Sequence, residues 1–434
     1  MPIAAVPDYL GKDFSQASPG LRFGMYLPLW GANQRSKELL WSTHDLIYEV
    51  RGQQQLEREV KKENKVTALQ QACALSAADK QTGKAVHQRQ NQIFDNIPLS
   101  QGLRLKATAI APFTTGLGNE HPLENGFAFL NPYGSPYLPG SGVKGVLRQS
   151  ALELASGEWG KSDWSRDMRH EVHDKKGNHL FDASDLDVLF GSEALDGENH
   201  LHGVLSFWDV IPQIEGNSLM VEIMTPHQSH YYQQKDAAGS TSPHDSGSPN
   251  PISFLTVPPQ SQFAFHVVCD SPRLQHLAPD LVANDRWKVL LTDAFEHAFA
   301  WLGFGAKTSV GYGAMARNTK AEAKLANAQA EAQAAAEQAA KMANLSDNAR
   351  LIEEFVLACK NKVIQLRGNK EKPNAETHAK ARALSKAALE GINWSAEEKH
   401  AAAEAMAEWL PQVVAVDMKD ERKKLKLAAL RGEA

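Results

Sequence analysis

The stretch YLPGSGVKGVLR, residues 137–148, decides the fold of this chain. Pro139 and Gly140 predict a tight turn, and Ser141 predicts the N-cap of a helix over about 142–154. Lys144 and Arg148 are four residues apart and therefore share one face of that helix. The apolar residues occupy a different face, and they are Val143, Leu147, Ala151 and Leu154. The pattern predicts a helix that packs on a sheet and keeps two cations near its N-terminus.

The start of this helix is a candidate phosphate-binding site. The first turn of a helix has free backbone N–H groups and a partial positive charge, so that it attracts anions. Small residues before the helix let a phosphate approach closely. A capped helix with ordinary surface charges fits the same residues. The candidate contacts are Gly140, Ser141, Gly142, Lys144, Gly145 and Arg148.

A second glycine-rich stretch, GFGAKTSVGYG, occupies residues 303–313. Its glycines permit positive φ angles and close approach to the backbone. It is not a nucleotide-binding P-loop, because Ala306 precedes Lys307, the glycine spacing is different and a helix precedes it. A helix C-cap followed by a hairpin-like turn is the alternative to contact with an extended polyanion. The candidate contacts are Gly305, Lys307, Thr308, Ser309, Gly311 and Tyr312.

The residues between these two stretches predict an α+β fold. Leu103–Ile110 alternates apolar and polar residues, as a half-buried strand does. A second helix is predicted over about 286–302, because its apolar residues recur at steps of three and four. Further strands are predicted at 203–211, 219–224, 252–257, 263–269 and about 312–316. This order predicts a ferredoxin-like plan with both helices on one face of the sheet.

Changes of composition divide the chain into three predicted domains, residues 1–99, 100–317 and 318–434. The first contains a helix-favouring insertion at 34–94, rich in Glu, Lys, Gln and Ala. The last is also rich in helix-forming residues, and Ser395 with Glu398 forms a capping-box pattern in it. Residues 229–250 predict a long polar loop between strands. The sequence thus predicts a mixed core between two helical regions.

Composition excludes several classes of protein. The formal charge is −5, so that any nucleic-acid surface must be a local patch. The three cysteines are far apart and lack CxxC spacing, which argues against a disulfide framework or a cysteine zinc site. The N-terminus lacks a signal-peptide pattern, and no apolar run has the roughly 18 residues of a membrane span. We therefore expect a soluble cytoplasmic protein that uses no cofactor and no membrane.

The two glycine-rich stretches together resemble the RAMP superfamily of CRISPR proteins. The hallmarks of that family are a Pro-Gly-Ser-x-x-Lys-Gly-x-x-Arg element, here 139–148, and a glycine-rich loop after the second helix, here 303–313. The segments FWDVIP (207–212), VEIMTPH (221–227) and PNPISFLTV (249–257) resemble the sixth-subunit family of type III-B (Cmr) complexes. The resemblance covers roughly residues 100–317.

This resemblance implies a fold, a function and partners. The fold is a ferredoxin-like, RRM-like core that binds RNA without cleaving it. The implied partners are guide RNA, target RNA, RAMP-type backbone subunits and the small helical subunit of the complex. RNA contacts are implied at Lys144, Arg148 and the loop 305–313. The extension after about Arg317 lies outside the family core, and a fused helical interaction module is one hypothesis for it.

A metal-independent endoribonuclease is the alternative function. Ribonuclease relatives in the superfamily often use a His near the loop after the first strand, and His121 lies in that loop here. Such a His could act as a general base on a 2′-hydroxyl. A lone loop His is more often solvated or structural. His227 and His230 lack a third ligand at a regular spacing, so that no metal site is predicted.

Overall fold

The computed structural model describes residues 4–32, 39–41, 44–50, 57–123, 125–174, 176–193, 200–225 and 251–433. Within these ranges the chain forms two compact units, Met1–Glu322 and Ala323–Ala434. No helix among the described residues is both long and apolar enough to cross a bilayer. The predicted loop at 229–250, together with His227 and His230, lies outside the described residues.

The first unit combines helices with short sheets. Its strands are β1 (Trp30–Ala32), β2 (Leu39–Trp41), β3 (His44–Val50), β4 (Glu57–Glu63), β5 (Gly102–Ala109), β6 (Phe129–Leu130), β7 (Ser135–Pro136), β8 (His170–His173), β9 (His179–Ala183), β10 (Gly191–Glu193), β11 (His200–His202), β12 (Leu205–Phe207), β13 (Met220–Met224), β14 (Ile252–Thr256), β15 (Gln262–Cys269) and β16 (Met315–Arg317). Its helices are α1 (Pro19–Gly24), α2 (Asn64–Cys73), α3 (Ala77–Asp95), α4 (Gly140–Leu154), α5 (Asp185–Phe190), α6 (Ser271–Leu277), α7 (Pro279–Val282) and α8 (Arg286–His297).

The central element is a four-stranded antiparallel sheet of order β12-β15-β5-β16. Leu105 of β5 lies opposite Phe265 of β15, and Ala109 lies opposite Met315 of β16. Along the chain these strands alternate with α4 and α8 in the order strand, helix, strand, strand, helix, strand. The chain is therefore a mixed helix-and-sheet protein, as its alternating patterns predict.

One face of this sheet carries the hydrophobic core. Phe265 projects from this face and contacts the ring of Phe295 on α8 at 5.3 Å between centroids. The ring of Phe304 lies 4.8 Å from Phe265 and is fully buried, as expected for a core residue. The Ser150 hydroxyl of α4 donates to the carbonyl of Ala294 at 2.6 Å, which ties the two helices together. The apolar residues that recur at three- and four-residue steps in 286–302 thus pack against the sheet, as their periodicity predicts.

The opposite face of the sheet is covered by α3. Phe94 of α3 lies 4.9 Å from the His266 ring of β15. Asn91 of α3 contacts His266 Nε2 at 3.2 Å, and Arg104 of β5 pairs with Asp95 at 2.9 Å. Burial, reinforced by the charge of Arg104, lowers the pKa of His266 to about 3. His266 is therefore neutral at physiological pH, and this part of the sheet is not an open surface.

The prediction of a helical insertion over 34–94 is wrong in its first half. Residues 44–50 and 57–63 form an antiparallel pair, β3 and β4, and helices begin only at Asn64. The segment HDLIYEV, residues 44–50, is rich in β-branched and aromatic residues, which favour strands. Long-range pairing with 57–63 outweighs the helical propensity of Glu and Lys there.

The second unit is a bundle of helices. Its elements are α9 (Thr319–Ala343, which begins in the first unit), α10 (Asp347–Leu366), α11 (Glu376–Glu390), α12 (Ala396–Val413), α13 (Met418–Lys424) and α14 (Leu427–Arg431). The predicted capping box of Ser395 and Glu398 is confirmed at the start of α12. The core of the bundle includes Phe355, Cys359 and Met406, all less than 4% exposed. Small residues such as Ala402 let these helices pack closely.

Candidate nucleic-acid interface

Each glycine-rich stretch is anchored next to the end of a strand of the central sheet. β5 ends at Ala109, and Met315, which opens β16 directly after the second stretch, is opposite it. β12 ends at Phe207 and is followed by Asp209, whose carboxylate accepts a hydrogen bond from the Gly140 amide at 2.7 Å. Phe207 is opposite Val267 of β15, and Val267 is opposite Leu103 of β5, so that the end of β12 is level with the beginning of β5.

The helix of the first stretch starts earlier than predicted. α4 begins at Gly140, with Pro139 as a cap that has no side-chain hydrogen bond, so that the predicted N-cap role of Ser141 is wrong. The Asp209 carboxylate satisfies the first amide instead and compensates the positive end of the helix. The side chain of residue 209 is available because β12 ends just before it. The capping role of Asp209 could not be predicted from the sequence, because Asp209 and Gly140 come together only in the tertiary fold.

Gly140 has a structural role and does not offer its amide to a phosphate. It is buried, and a Cβ there would overlap the carbonyl of Phe207. Its amide already donates to Asp209, and the amide of Gly142 donates to the Pro139 carbonyl at 2.9 Å. Both amides thus already have acceptors within the protein, and phosphate contacts at Gly140 and Gly142 stay a prediction.

The remaining candidate contacts of the first stretch lie at the surface. Ser141, Gly145 and Arg148 are exposed, and Lys144 is half-buried. A Cβ at Gly145 would have no atom within 4 Å, so that space is open above this part of the helix. Across the described residues, neither Lys144 nor Arg148 forms an ion pair with a carboxylate. These two cations remain available to an external anion.

The second stretch is a tight loop anchored on residues 112–114. The amide of Ala306 donates to the Thr114 carbonyl at 2.8 Å, and the amide of Gly313 donates to the Pro112 carbonyl at 2.8 Å. Gly305 has φ of 95° and lies so close to the Thr114 carbonyl that a Cβ would overlap it. Gly311, with φ of 98°, is exposed and open. The glycines thus serve both the internal turn and the exposed tip.

Lys307 and Tyr312 of this loop contact the hairpin of β13 and β14. Lys307 Nζ lies 5.7 Å from the ring centroid of Phe254 and 3.1 Å from the Met224 sulfur. The ring of Tyr312 lies 5.4 Å from Phe254, and its hydroxyl is 3.5 Å from the Glu222 carboxylate. Burial and the nearby Glu222 charge raise the pKa of Tyr312. Thr308 is half-buried, and Ser309 is exposed.

The hairpin's contribution to this region was missed by sequence reasoning. Met224 and Phe254 come from segments far from residue 307 along the chain, and no local pattern links them. The cation–π contact with Phe254 holds the Lys307 side chain near the loop surface. The Glu222 carboxylate adds one negative charge beside Tyr312. A polyanion is therefore favoured near Lys307 and disfavoured next to Tyr312.

His121 is held in a structural position. Its Nδ1 accepts from the amide of Leu123 at 3.1 Å, and its Nε2 contacts the carbonyl of Phe23 at 3.0 Å. The ring is stacked on Phe23 with 3.8 Å between centroids. Burial lowers the pKa of His121, so that the neutral ring donates from Nε2 and accepts at Nδ1. With both nitrogens occupied, this arrangement leaves no lone pair for a general base.

A cluster of His170, Asp185 and Asp280 brings three potential metal ligands together. The Asp185 carboxylate accepts from His170 Nε2 at 2.7 Å and pairs with Arg286 at 3.1 Å. Arg286 also pairs with Asp280 at 3.2 Å. Because guanidinium groups already neutralise both carboxylates, this cluster is an ion-pair network that fixes the start of α5 and α8.

Comparison with known proteins identifies a family segment. Residues 106–316 match the model of the RAMP superfamily. CRISPR system Cmr subunit Cmr6 of Pyrococcus furiosus is 31% identical over 227 residues. The matched region is 46% of this chain and 63% of that relative, so that this chain covers less than two thirds of it.

Two solved structures are also similar to this chain. One is a type III-B Cmr-beta complex bound to cognate target RNA, with 17% identity, 58% of this chain and 71% of the other covered, and a TM-score of 0.38. The other is Cmr6 from Pyrococcus furiosus, with 25% identity, 51% of this chain and 100% of the other covered, and a TM-score of 0.27. The resemblance to the RAMP superfamily that the glycine-rich motifs predict is confirmed over residues 106–316 of this chain.

Proposed function

We propose that this chain is a non-catalytic, RNA-binding subunit of a type III-B CRISPR ribonucleoprotein. The family match over 106–316 and the relative named Cmr6 support this assignment. The partners in this proposal are guide RNA, target RNA, RAMP-type backbone subunits and the small helical subunit of the complex. The complex acts in antiviral defence in the cytoplasm.

The core, in this proposal, is a ferredoxin-like domain. Its support is the alternation of β5, α4, β12, β15, α8 and β16, together with the sheet order β12-β15-β5-β16. RRM domains bind single-stranded RNA on the open face of such a sheet. Here α3 covers part of that face, with Phe94 on His266. The RNA path is therefore proposed along the two glycine-rich stretches and not across the face of the sheet.

The observation that carries the proposal is the exposed backbone of the two glycine-rich stretches, each with a lysine beside it. They expose backbone at Gly145, Gly305 and Gly311 beside the side chains of Lys144 and Lys307. Exposed backbone and scattered cations suit a binder that reads the shape and charge of RNA and ignores its sequence. Ser141, Arg148, Thr308 and Ser309 complete the proposed phosphate path, and the Tyr312 ring is assigned to stacking on a base, since the Glu222 carboxylate disfavours a phosphate there.

A double substitution, Lys144→Ala with Lys307→Ala, tests this path. Each lost phosphate contact lowers the slope of log K against log salt by about 0.7 for single-stranded nucleic acid, so that we expect a loss of roughly 1.4. Fluorescence anisotropy with a labelled single-stranded RNA measures the slope. Lys12→Ala with Lys161→Ala, two exposed lysines elsewhere in the first unit, is the matched control. An equal slope in both variants would overturn the path.

A further inference from the structure

The second unit carries a cluster of cations that the proposed core path does not use. Lys and Arg only slightly outnumber Asp and Glu in residues 323–434, so that the unit as a whole is nearly neutral. Its cations are nevertheless unevenly distributed. We define the C-terminal basic surface as Lys370, Lys372, Arg382, Lys419, Arg422, Lys423 and Lys426, all of them exposed.

A buried pair brings the segments of this surface together. His378 Nε2 of α11 contacts the Glu421 carboxylate of α13 at 2.9 Å, and both side chains are almost fully buried. His378 Nδ1 accepts from the amide of Asn374 at 3.0 Å, and Arg382 donates to the Asn374 side chain at 2.7 Å. The loop before α11, the first turns of α11 and the helix α13 are therefore joined at this pair.

The outward face of α13 is basic. Glu421 points inward, whereas Lys419, Arg422 and Lys423 are exposed at steps of three and four residues. Asp417 and Asp420 are also exposed, and Asp417 caps α13 by accepting from the amide of Lys419 at 2.9 Å. The cations outnumber these two carboxylates across the surface.

The cations of this surface differ from many others in the unit in that they form no ion pairs. Many cations elsewhere in the unit are matched with carboxylates, as in Lys341 with Glu353 at 3.1 Å and Arg431 with Glu404 at 2.9 Å. Across the described residues, no member of the C-terminal basic surface forms an ion pair.

Favourable interaction with the helix dipole explains only some of the cations on this surface. Cations in the last turn of α13 are favourable there, and Lys424 fills that role while it also pairs with Glu421 at 2.8 Å. Lys370 and Lys372 lie in a loop before α11, and Arg382 lies in the middle of that helix. The dipole gives no reason for cations at those positions. Unpaired like charges repel, so that an external polyanion would stabilise their proximity.

We propose that the C-terminal basic surface binds the phosphate backbone of RNA as a second contact outside the family core. This inference rests on the proposed function only in taking RNA as the polyanion. Lysines are flexible point charges that suit phosphates without fixed geometry, and they bind sequence-independently. The surface extends the RNA contact of the chain beyond residues 106–316.

The test uses the full chain with Lys419→Ala, Arg422→Ala and Lys423→Ala combined. Binding to a labelled single-stranded RNA is measured by anisotropy over a range of salt concentrations. We expect the slope of log K against log salt to shrink by about 2, and the affinity at low salt to fall roughly tenfold or more. A Lys419→Arg and Lys423→Arg variant keeps the charge and should bind like the parent chain.

The control removes three cations from the same unit outside the surface: Lys324→Ala, Lys341→Ala and Lys386→Ala. An identical loss of RNA affinity in both triple variants would overturn the inference. No loss of RNA affinity in the surface variant would overturn it too. If the parent chain then captures an acidic peptide, the surface binds protein and not RNA. Circular dichroism checks that all variants stay folded. The double variant of Lys144 and Lys307 separates the two proposals. If only the surface variant loses RNA affinity, the core path is wrong and the surface inference stands. If only the Lys144 and Lys307 variant loses RNA affinity, the surface inference is wrong and the core path stands.

Discussion

The carboxylate of Asp209 accepts a hydrogen bond of 2.7 Å from the amide of Gly140 and thereby closes the N-terminus of α4. This contact joins the end of β12 to the beginning of the helix that carries Lys144. It also places a negative charge where the sequence had predicted an open anion site. The RNA path proposed here therefore runs over the outer face of α4, and the helix tip belongs to the protein's own structure.

Replacement of Asp209 should reduce stability through this capping contact. Asp209→Ala removes the acceptor, and we expect the free energy of unfolding to fall by about 1 kcal/mol. Asp209→Asn keeps an oxygen acceptor and loses only the charge, so that its loss should be smaller. Chemical denaturation of both variants measures the difference. Equal stability of the parent and Asp209→Ala would show that the contact contributes nothing.

Two glycines of α4 should respond to alanine in opposite directions. Gly145→Ala fills open space in a helix interior and should stabilise the chain by about 0.5–1 kcal/mol. Gly140→Ala forces a Cβ against the Phe207 carbonyl and should destabilise it by more than 1 kcal/mol.

Gly145→Ala also tests the RNA path without loss of folding. If RNA lies against the bare backbone at this position, the more stable variant should bind RNA less tightly. Binding at constant salt and thermal melting are the two measurements. A variant that is more stable and binds RNA as tightly as the parent would exclude close contact at Gly145.

His121 should matter for folding and not for RNA cleavage. His121→Ala removes two hydrogen bonds and the stacking on Phe23, and we expect a loss of roughly 1–3 kcal/mol of unfolding free energy. The purified parent chain should leave guide-RNA precursor intact with metal or with chelator. Cleavage by the parent that His121→Ala abolishes, with binding retained, would establish the endoribonuclease alternative.

The Asp185 network should make stability depend on pH at the acid end. Burial by itself raises the pKa of this carboxyl, but the hydrogen bond from His170 and the charges of Arg286 and Arg169 outweigh it and lower the pKa below its usual value. A lowered pKa in the folded state contributes stability above the unfolded pKa of about 3.9, and this stability is lost as pH falls through the folded value.

Asp185→Asn should remove this contribution. We expect lower stability at neutral pH, and a weaker decline in stability below about pH 4 than in the parent chain. Asp182→Asn, an exposed carboxylate on β9, is the control. Parallel acid unfolding curves for the parent and Asp185→Asn would contradict the network's role.

The elements that sequence predicted well are those with a strong local period. The alternation in 103–110 and the three- and four-residue steps of α8 follow directly from one buried face, and the structure buries those residues. The antiparallel pair of β3 and β4 was missed because its stability depends on pairing between segments, which composition does not record. The Glu, Lys and Gln content of residues 34–94 as a whole favoured helix, although residues 44–50 themselves favour a strand.

The candidate site was predictable only where it depends on local chemistry. Exposed positions such as Gly145 and Gly311 follow from glycine density, and the burial of Phe304 was expected. The roles of Asp209, Phe254 and Phe23 were not, since each contacts a residue distant in sequence. The cover that α3 provides over the sheet likewise depends on tertiary packing.

Ultraviolet cross-linking of RNA to this chain in the assembled complex, followed by mass spectrometry of the linked peptides, locates the RNA path. We expect cross-links in the peptides that contain 137–148 and 303–313. Cross-links confined to other parts of the first unit, with both glycine-rich stretches unlabelled, would contradict it.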